Sequence, residues 1–216
     1  MNTNFTEKLR GFGCTPFSTA TLDSLLTNYR SPNDKASSIV KQGELIRIKR
    51  GLYCVSPLLT GQRLSRELIA NHLYGPSYVS LETALAYHNL IPERVEVTQS
   101  IVVKRAKQFQ TSLGLFTYTS VPSAYYSIGI KQEQTLTGQV FLIASPEKAL
   151  CDLVHIRPNL RIVSERSMRM FLEDHMRIDL QALLNPNLEI LDRCIATGRK
   201  ADALQCLRKV LEKECL

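Results

Sequence analysis

The chain has 216 residues and a formal net charge of +7. That length allows one large domain or two modest ones around a buried core, and the composition is neither collagen-like nor disordered. No apolar run approaches the ~20 residues that span a bilayer, and no basic-then-apolar leader opens the sequence, so the expected location is the cytoplasm, with no membrane partner.

Charge is unevenly spread: residues 1–110 hold 14 Lys/Arg against 8 Asp/Glu, while residues 111–216 hold 13 against 12. A basic half suggests a polyanionic partner. The six cysteines (Cys14, Cys54, Cys151, Cys194, Cys206, Cys215) form no C-x-x-C pair and sit in or beside apolar runs. Reduced, buried thiols are expected rather than a disulfide frame or a zinc site.

In chain order, Phe5 and Leu9 at i, i+4 predict a short helix over 2–10, ended by Gly11 and Gly13. Pro16-Phe17-Ser18 leads into a second helix, whose stripe is Leu22, Leu25, Leu26 and Tyr29. After a turn at Tyr29-Arg30, Ser31 and Pro32 form a cap followed by a residue suited to the first helical position. Ala36, Ile39 and Val40 share one face of this third helix, and Gly43 stops it. From Leu45 the period shortens to two. Ile46 and Ile48 are expected on one side, Arg47 and Lys49 on the other. Gly51 fits the left-handed position of a three-residue hairpin loop, and Leu52 to Val55 return. Helix, helix, turn, helix and basic-tipped hairpin is the order of a winged helix-turn-helix.

Ser56-Pro57 to Gly61 reads as a junction, which places a winged helix-turn-helix at 1–57 and a second domain at 58–216. Leu64, Leu68, Ile69 and Leu73 mark a helix stopped by Gly75-Pro76; another follows Ser80 through Leu81, Ala84, Leu85 and His88 to near Asn89. Alternation at Val95/Val97 and Ile101/Val103, then Leu115 to Val121, predicts strands, and Val140 to Ala144 predicts a central one. Ser145-Pro146-Glu147 opens a helix with Ala149, Leu150, Leu153 and Val154 inward; from about residue 158 the chain reads as a helical tail, with segments after Ser164, at 178–184, at 188–196 and around Leu204, Leu207 and Leu211. The fold class is therefore α+β: an N-terminal winged helix-turn-helix, then an α+β domain with a helical C-terminal tail.

Three blocks carry a resemblance. Gly43-x-Leu45-Ile46-Arg47-Ile48-x-Arg50-Gly51-x-Tyr53 is similar to the wing signature of AbiEi-type antitoxins, transcriptional regulators of type IV toxin–antitoxin systems. The likeness continues in Tyr78-Val79-Ser80-Leu81-x-Thr83-Ala84-Leu85-x-Tyr87-His88-x-Leu90, and in Ile143-Ala144-Ser145-Pro146-Glu147-Lys148-Ala149-Leu150-Cys151-Asp152-Leu153. The resemblance covers roughly Phe17 to Val154, and nothing transfers to the tail. It implies autorepression of the protein's own promoter, with double-stranded DNA repeats as the target. It also implies neutralisation of a nucleotidyltransferase-like toxin, and no catalytic group, cofactor or metal.

On the third helix, the side opposite the core shows Asp34, Ser37, Ser38, Lys41 and Gln42. Short hydroxyls, an amide and a cation suit base-edge and phosphate contacts. Arg47, Lys49 and Arg50 are expected to reach the backbone or minor groove. Lys104, Arg105 and Lys107 form a basic loop, either a second phosphate contact or a solvated turn. Tyr78, Glu82, Tyr87 and His88 cluster around one helix, but His88 lies on its apolar stripe and reads as a core residue; Glu147 and Asp152 read as dipole-favoured acids in a helix's first turns.

The phosphate-loop, H-E-x-x-H and dinucleotide-binding patterns are missing, as is the Gly-Ser with spaced acidic pairs of a nucleotidyltransferase. Two rivals remain. One is a stand-alone winged-helix transcription factor that senses a ligand in its second domain. The other is a Mg²⁺-dependent nuclease using Glu93, Glu96 and Lys104.

Overall fold

The structure, a computed structural model, describes residues 3–214, so Asn2 and Cys215 lie outside it. The chain is mixed α+β, and its first elements are α1 (Thr3–Arg10), β1 (Phe17–Ser18), α2 (Thr19–Leu25), α3 (Pro32–Lys41), β2 (Leu45–Lys49) and β3 (Leu52–Val55). The sequence predicts Phe17 and Ser18 as a lead-in to a helix. They instead pair with Tyr53 and Leu52, closing a three-stranded sheet of order β1-β3-β2. Ser18 then caps α2 by accepting from the Thr21 N–H at 3.2 Å.

The signals around α3 act as expected, with one exception. Pro32 occupies the first helical position, but the Ser31 side chain makes no capping bond. The C-terminal stop is a Schellman motif: Glu44 N–H donates to the Ile39 carbonyl and Gly43 N–H to the Val40 carbonyl. Gly43 stands at φ +75°, a conformation that glycine adopts without a Cβ clash.

The hairpin turn contains only Arg50 and Gly51, not three residues, because Lys49 pairs directly with Leu52. The extra residue lies inside the strand. Register shifts between Arg47, opposite Tyr53, and Lys49, leaving Ile48 as a bulge. One unpaired residue reverses the alternation, so Arg47 and Lys49 leave opposite faces of the ribbon.

The two faces of this hairpin serve different cores. Leu45 and Val55 pack with Phe17 of β1 and with Phe5, Leu9, Leu22, Leu26, Ala36 and Ile39 from the segments of α1 to α3. Ile48, Leu52 and Cys54 belong to the core of the rest of the molecule.

That body continues with α4 (Pro57–Thr60), α5 (Arg66–Leu73), β4 (Ser77–Val79), α6 (Leu81–Tyr87), β5 (Thr98–Val102), β6 (Lys107–Thr111), β7 (Gly114–Ser120), α7 (Ser123–Tyr126), β8 (Ile130–Gln134), β9 (Val140–Ala144) and α8 (Pro146–Ile156). The tail holds α9 (Glu165–Met170), a π-helical turn over Phe171–His175, a 3₁₀ turn over Leu180–Ala182, α10 (Leu188–Thr197) and α11 (Ala201–Glu214). Six strands form one mixed sheet in the order β6-β7-β5-β4-β9-β8. The β5–β7 and β4–β9 pairs are parallel and the others antiparallel. Val95 and Val97 alternate in sequence but lie outside any strand. Lys107, expected in a loop, begins β6.

Opposite faces of the sheet are covered by different helices. Ser77 and Tyr118 donate to the Ala70 carbonyl of α5, whereas Tyr78 points to Asp152 of α8. Ser145 caps α8 by accepting from Lys148 N–H at 3.2 Å. Among the described residues no helix is long and apolar enough to cross a membrane.

Candidate nucleic-acid interface

Helix α3 buries Ala36 and Ile39 against the first core and half-buries Val40. Its other side leaves Asp34, Ser37, Lys41 and the capping residue Gln42 exposed, with Ser38 half-buried. Asp34 lies in the first turn, where the helix dipole favours an acid. Beside this face runs β2, from which Arg47 projects into solvent opposite Tyr53. Ser37, Lys41, Arg47 and Tyr53, floored by Ala36 and Val40, line one concavity of about 210 Å³. Among the described residues, none of Lys41, Arg47 and Arg50 has an acidic partner. Arg50 is exposed at the turn.

Lys49 departs from the expectation. Its ammonium donates to the Leu73 carbonyl at the end of α5 and lies 5.3 Å from the centre of the Phe109 ring. The bulge at Ile48 aims it at the body, so the finger is folded against the molecule on that face. Partial burial, then the nearby Lys107 charge, lower its pKa below the ordinary lysine value. Of the seven residues expected at DNA, Ser37, Lys41 and Arg47 share one open surface, Ser38 and Gln42 follow their neighbours on α3 in sequence, Arg50 is exposed at the turn, and Lys49 belongs elsewhere.

The other candidate sets are scattered. His88 closes α6 with Nε2 2.8 Å from the Ala144 carbonyl, a satisfied structural histidine. Tyr78 is buried while Tyr87 stands at the surface edge-on to Phe141, and Glu82 lies 3.9 Å from Arg157. The proposed nuclease trio does not assemble. Glu93 pairs with Arg177 at 2.7 Å, Glu96 with Arg94 at 3.2 Å, and Lys104 donates to the Gly75 carbonyl at 2.7 Å. Among the described residues no group of three or more His, Cys, Asp or Glu side chains is placed to hold a metal.

One further cluster lies in the body, assembled from residues far apart in sequence. Lys148 and Asp152 are fully buried one helical turn apart on α8, with Nζ 3.0 Å from Oδ1. Asp152 Oδ2 accepts from Tyr78 at 3.0 Å and Ser80 at 2.6 Å, and Lys148 donates to the Tyr125 carbonyl at 3.0 Å. Asp152 is thus held by this network, not by the helix dipole. Ser80 spends its hydroxyl here and leaves α6 without a side-chain cap. Burial and the Asp152 charge hold the Tyr78 hydroxyl well above the usual phenol range. Glu147, also buried, accepts from the Asn187 N–H at 3.0 Å, tying α8 to α10. The available signal was Lys148–Asp152 at i, i+4 inside an apolar stripe. The Tyr125 hydroxyl and Glu147 Oε2 are buried without a hydrogen-bond partner, while Lys148, Asp152, Tyr78 and Ser80 face one another, which is the arrangement of a scaffold.

Cys14, Cys54, Cys151 and Cys194 are free and buried, and Cys206 is free and partly buried. Burial, then the neighbouring Cys14, push the Cys54 thiol up to about 12. No family model and no curated protein matches the chain.

Proposed function

We propose that this protein is a DNA-binding transcriptional autorepressor and antitoxin, reading duplex DNA through an N-terminal winged helix. Support for the winged helix comes from the order α1-β1-α2-α3-β2-β3 closing into a β1-β3-β2 sheet. The observation that carries DNA binding is the concavity in which Ser37 and Lys41 of α3 meet Arg47 of β2, open and without acidic partners. An α-helix fits the major groove, where Ser37 would meet base edges or phosphates, while Lys41 and Arg47 neutralise the backbone. Arg50 at the turn continues the contact along the strand. The antitoxin half of the proposal rests on the three sequence blocks that resemble AbiEi-type antitoxins. The toxin would be a nucleotidyltransferase-like protein encoded beside this one.

Titration of labelled duplex from the protein's own upstream region tests the first half. Binding should exceed that of a scrambled duplex and weaken steeply with salt. Equal, salt-insensitive binding of both would end the proposal. Growth rescue on co-expression with the adjacent gene tests the second half, and unrelieved toxicity would remove the antitoxin role.

A ligand-responsive regulator is the second reading. A cavity of about 540 Å³ lies between residues 61–67 and the β8–β9 turn, with Leu64, Tyr87 and Phe141 in its wall. It adjoins the segment that links the hairpin to the body. A small molecule that shifts both thermal stability and DNA affinity would favour this reading.

A further inference from the structure

The bulge that removes Lys49 from the α3 face delivers it to another cationic group. Tyr74, Phe109 and Tyr118 form a three-ring cluster, with centroids 5.3–5.8 Å apart. Three ammonium groups, one from the hairpin and two from the segment around β6, lie over its rings. Lys49 is 5.3 Å from the Phe109 centroid, Lys107 is 4.8 Å from Phe109 and 5.8 Å from Tyr74, and Lys104 is 5.8 Å from Tyr74. The Tyr74 hydroxyl donates to the Arg105 carbonyl at 3.1 Å, fixing the connecting loop, from which the Arg105 side chain is exposed.

Among the described residues none of these four cations pairs with a carboxylate. Lys49 and Lys107 share one ring and so stand within about one Debye length of each other, where salt does not fully screen their repulsion. A solubilising surface would disperse such charges or intersperse acids. Here aromatic faces hold them together, and Gly75 and Leu73 carbonyls orient two of the heads. Fixed cations with unspent positive charge match the regular anions of a nucleic-acid backbone. Lys49 immediately precedes Arg50, the exposed residue of the hairpin turn.

We propose that Lys49, Lys104, Arg105 and Lys107, mounted on the Tyr74–Phe109–Tyr118 cluster, form a second contact that grips the phosphate backbone of the DNA flanking the segment read by α3. The inference rests on the DNA-binding reading above and adds the body of the protein to the interface. Its contribution is independent of sequence, because it touches phosphates alone.

The test uses the full chain, the upstream duplex and a scrambled duplex of equal length, titrated over a salt series. The triple variant Lys104→Ala, Arg105→Ala, Lys107→Ala should bind both duplexes at least about tenfold more weakly near 0.1 M salt. Its log–log salt slope should be shallower by about 2–3, with the preference between duplexes retained. Lys104→Arg with Lys107→Arg should bind like the parent, which separates lost charge from lost folding. A triple variant with the parent's affinity and slope overturns the inference and leaves the α3 reading standing. If the triple variant loses all binding while Lys41→Glu, Arg47→Glu changes nothing, the α3 reading fails and this contact survives. A parent chain that binds neither duplex overturns both.

Discussion

Lys148 and Lys41 carry the same ammonium group in opposite circumstances. Lys148 is sealed in the body against Asp152 and the Tyr125 carbonyl, while Lys41 stands open on α3 beside Arg47 without a carboxylate. Taking a charge out of water is so costly that the buried one must be matched on every side. The exposed one bears no such cost, and its field is left for a partner. In this molecule the Lys148 charge belongs to the architecture, and the Lys41 charge is the one that the proposed DNA contact would use.

The sharpest way to break that contrast is Asp152→Ala, which strands Lys148 and two hydroxyls without their acceptor. Chemical denaturation should show a loss of about 3–5 kcal/mol. A loss below about 1 kcal/mol would mean that Lys148 reaches water after all. On the open side, Lys41→Glu with Arg47→Glu should weaken binding of the upstream duplex about 100-fold and flatten its salt slope by about 2, while stability stays within about 0.5 kcal/mol. Lys49 lies between the two extremes. Lys49→Met keeps the apolar stem but loses the bond to the Leu73 carbonyl, so it should cost about 1 kcal/mol by denaturant midpoint, whereas Arg47→Met should cost almost nothing.

The smallest expected effect is a pH dependence. Burial lowers the pKa of His155, whose Nδ1 accepts from the Arg199 N–H at 3.0 Å and must therefore carry a lone pair. The unfolded chain takes up this proton near 6.5 and the folded chain only at lower pH. The associated stability is thus complete above that value and is lost as pH falls through the window beneath it. His155→Asn keeps an acceptor without the titration and should flatten the fall in melting temperature. His72, also lowered by burial, leaves a residual slope.

What could be read from sequence follows a physical divide. Helix ends carry local chemistry: Pro32 and Gly43 bound α3, Ser145 and Pro146 open α8, and Gly75-Pro76 follows α5. The strand at Val140 to Ala144 was legible because an interior strand between β4 and β8 is apolar on successive residues. Three strands of this sheet escape the reading: β6 and β8 are its edges, where Lys-Gln-Phe-Gln-Thr and Ile-Lys-Gln-Glu-Gln carry polar residues that discourage further pairing, and interior β4 has only three residues. Strand β1 has two residues and no period to read. At the candidate site, Ser37, Lys41 and Arg47 came from helical and strand spacing. Lys49 was misplaced because a bulge changes parity without leaving any mark in composition. The aromatic cluster beneath Lys104 and Lys107 joins residues from α5's end, β6 and β7, which only tertiary structure brings together.

The shared hairpin has a mechanical consequence. Ile48, Leu52 and Cys54 make it a common wall, so the first 55 residues cannot swing on a tether as a free module would. A fragment severed after the hairpin would bare that greasy side and tend to self-associate. Any strain arising in the body, such as a molecule wedging apart residues 61–67 and the β8–β9 turn, would tilt the ribbon and α3 as one lever.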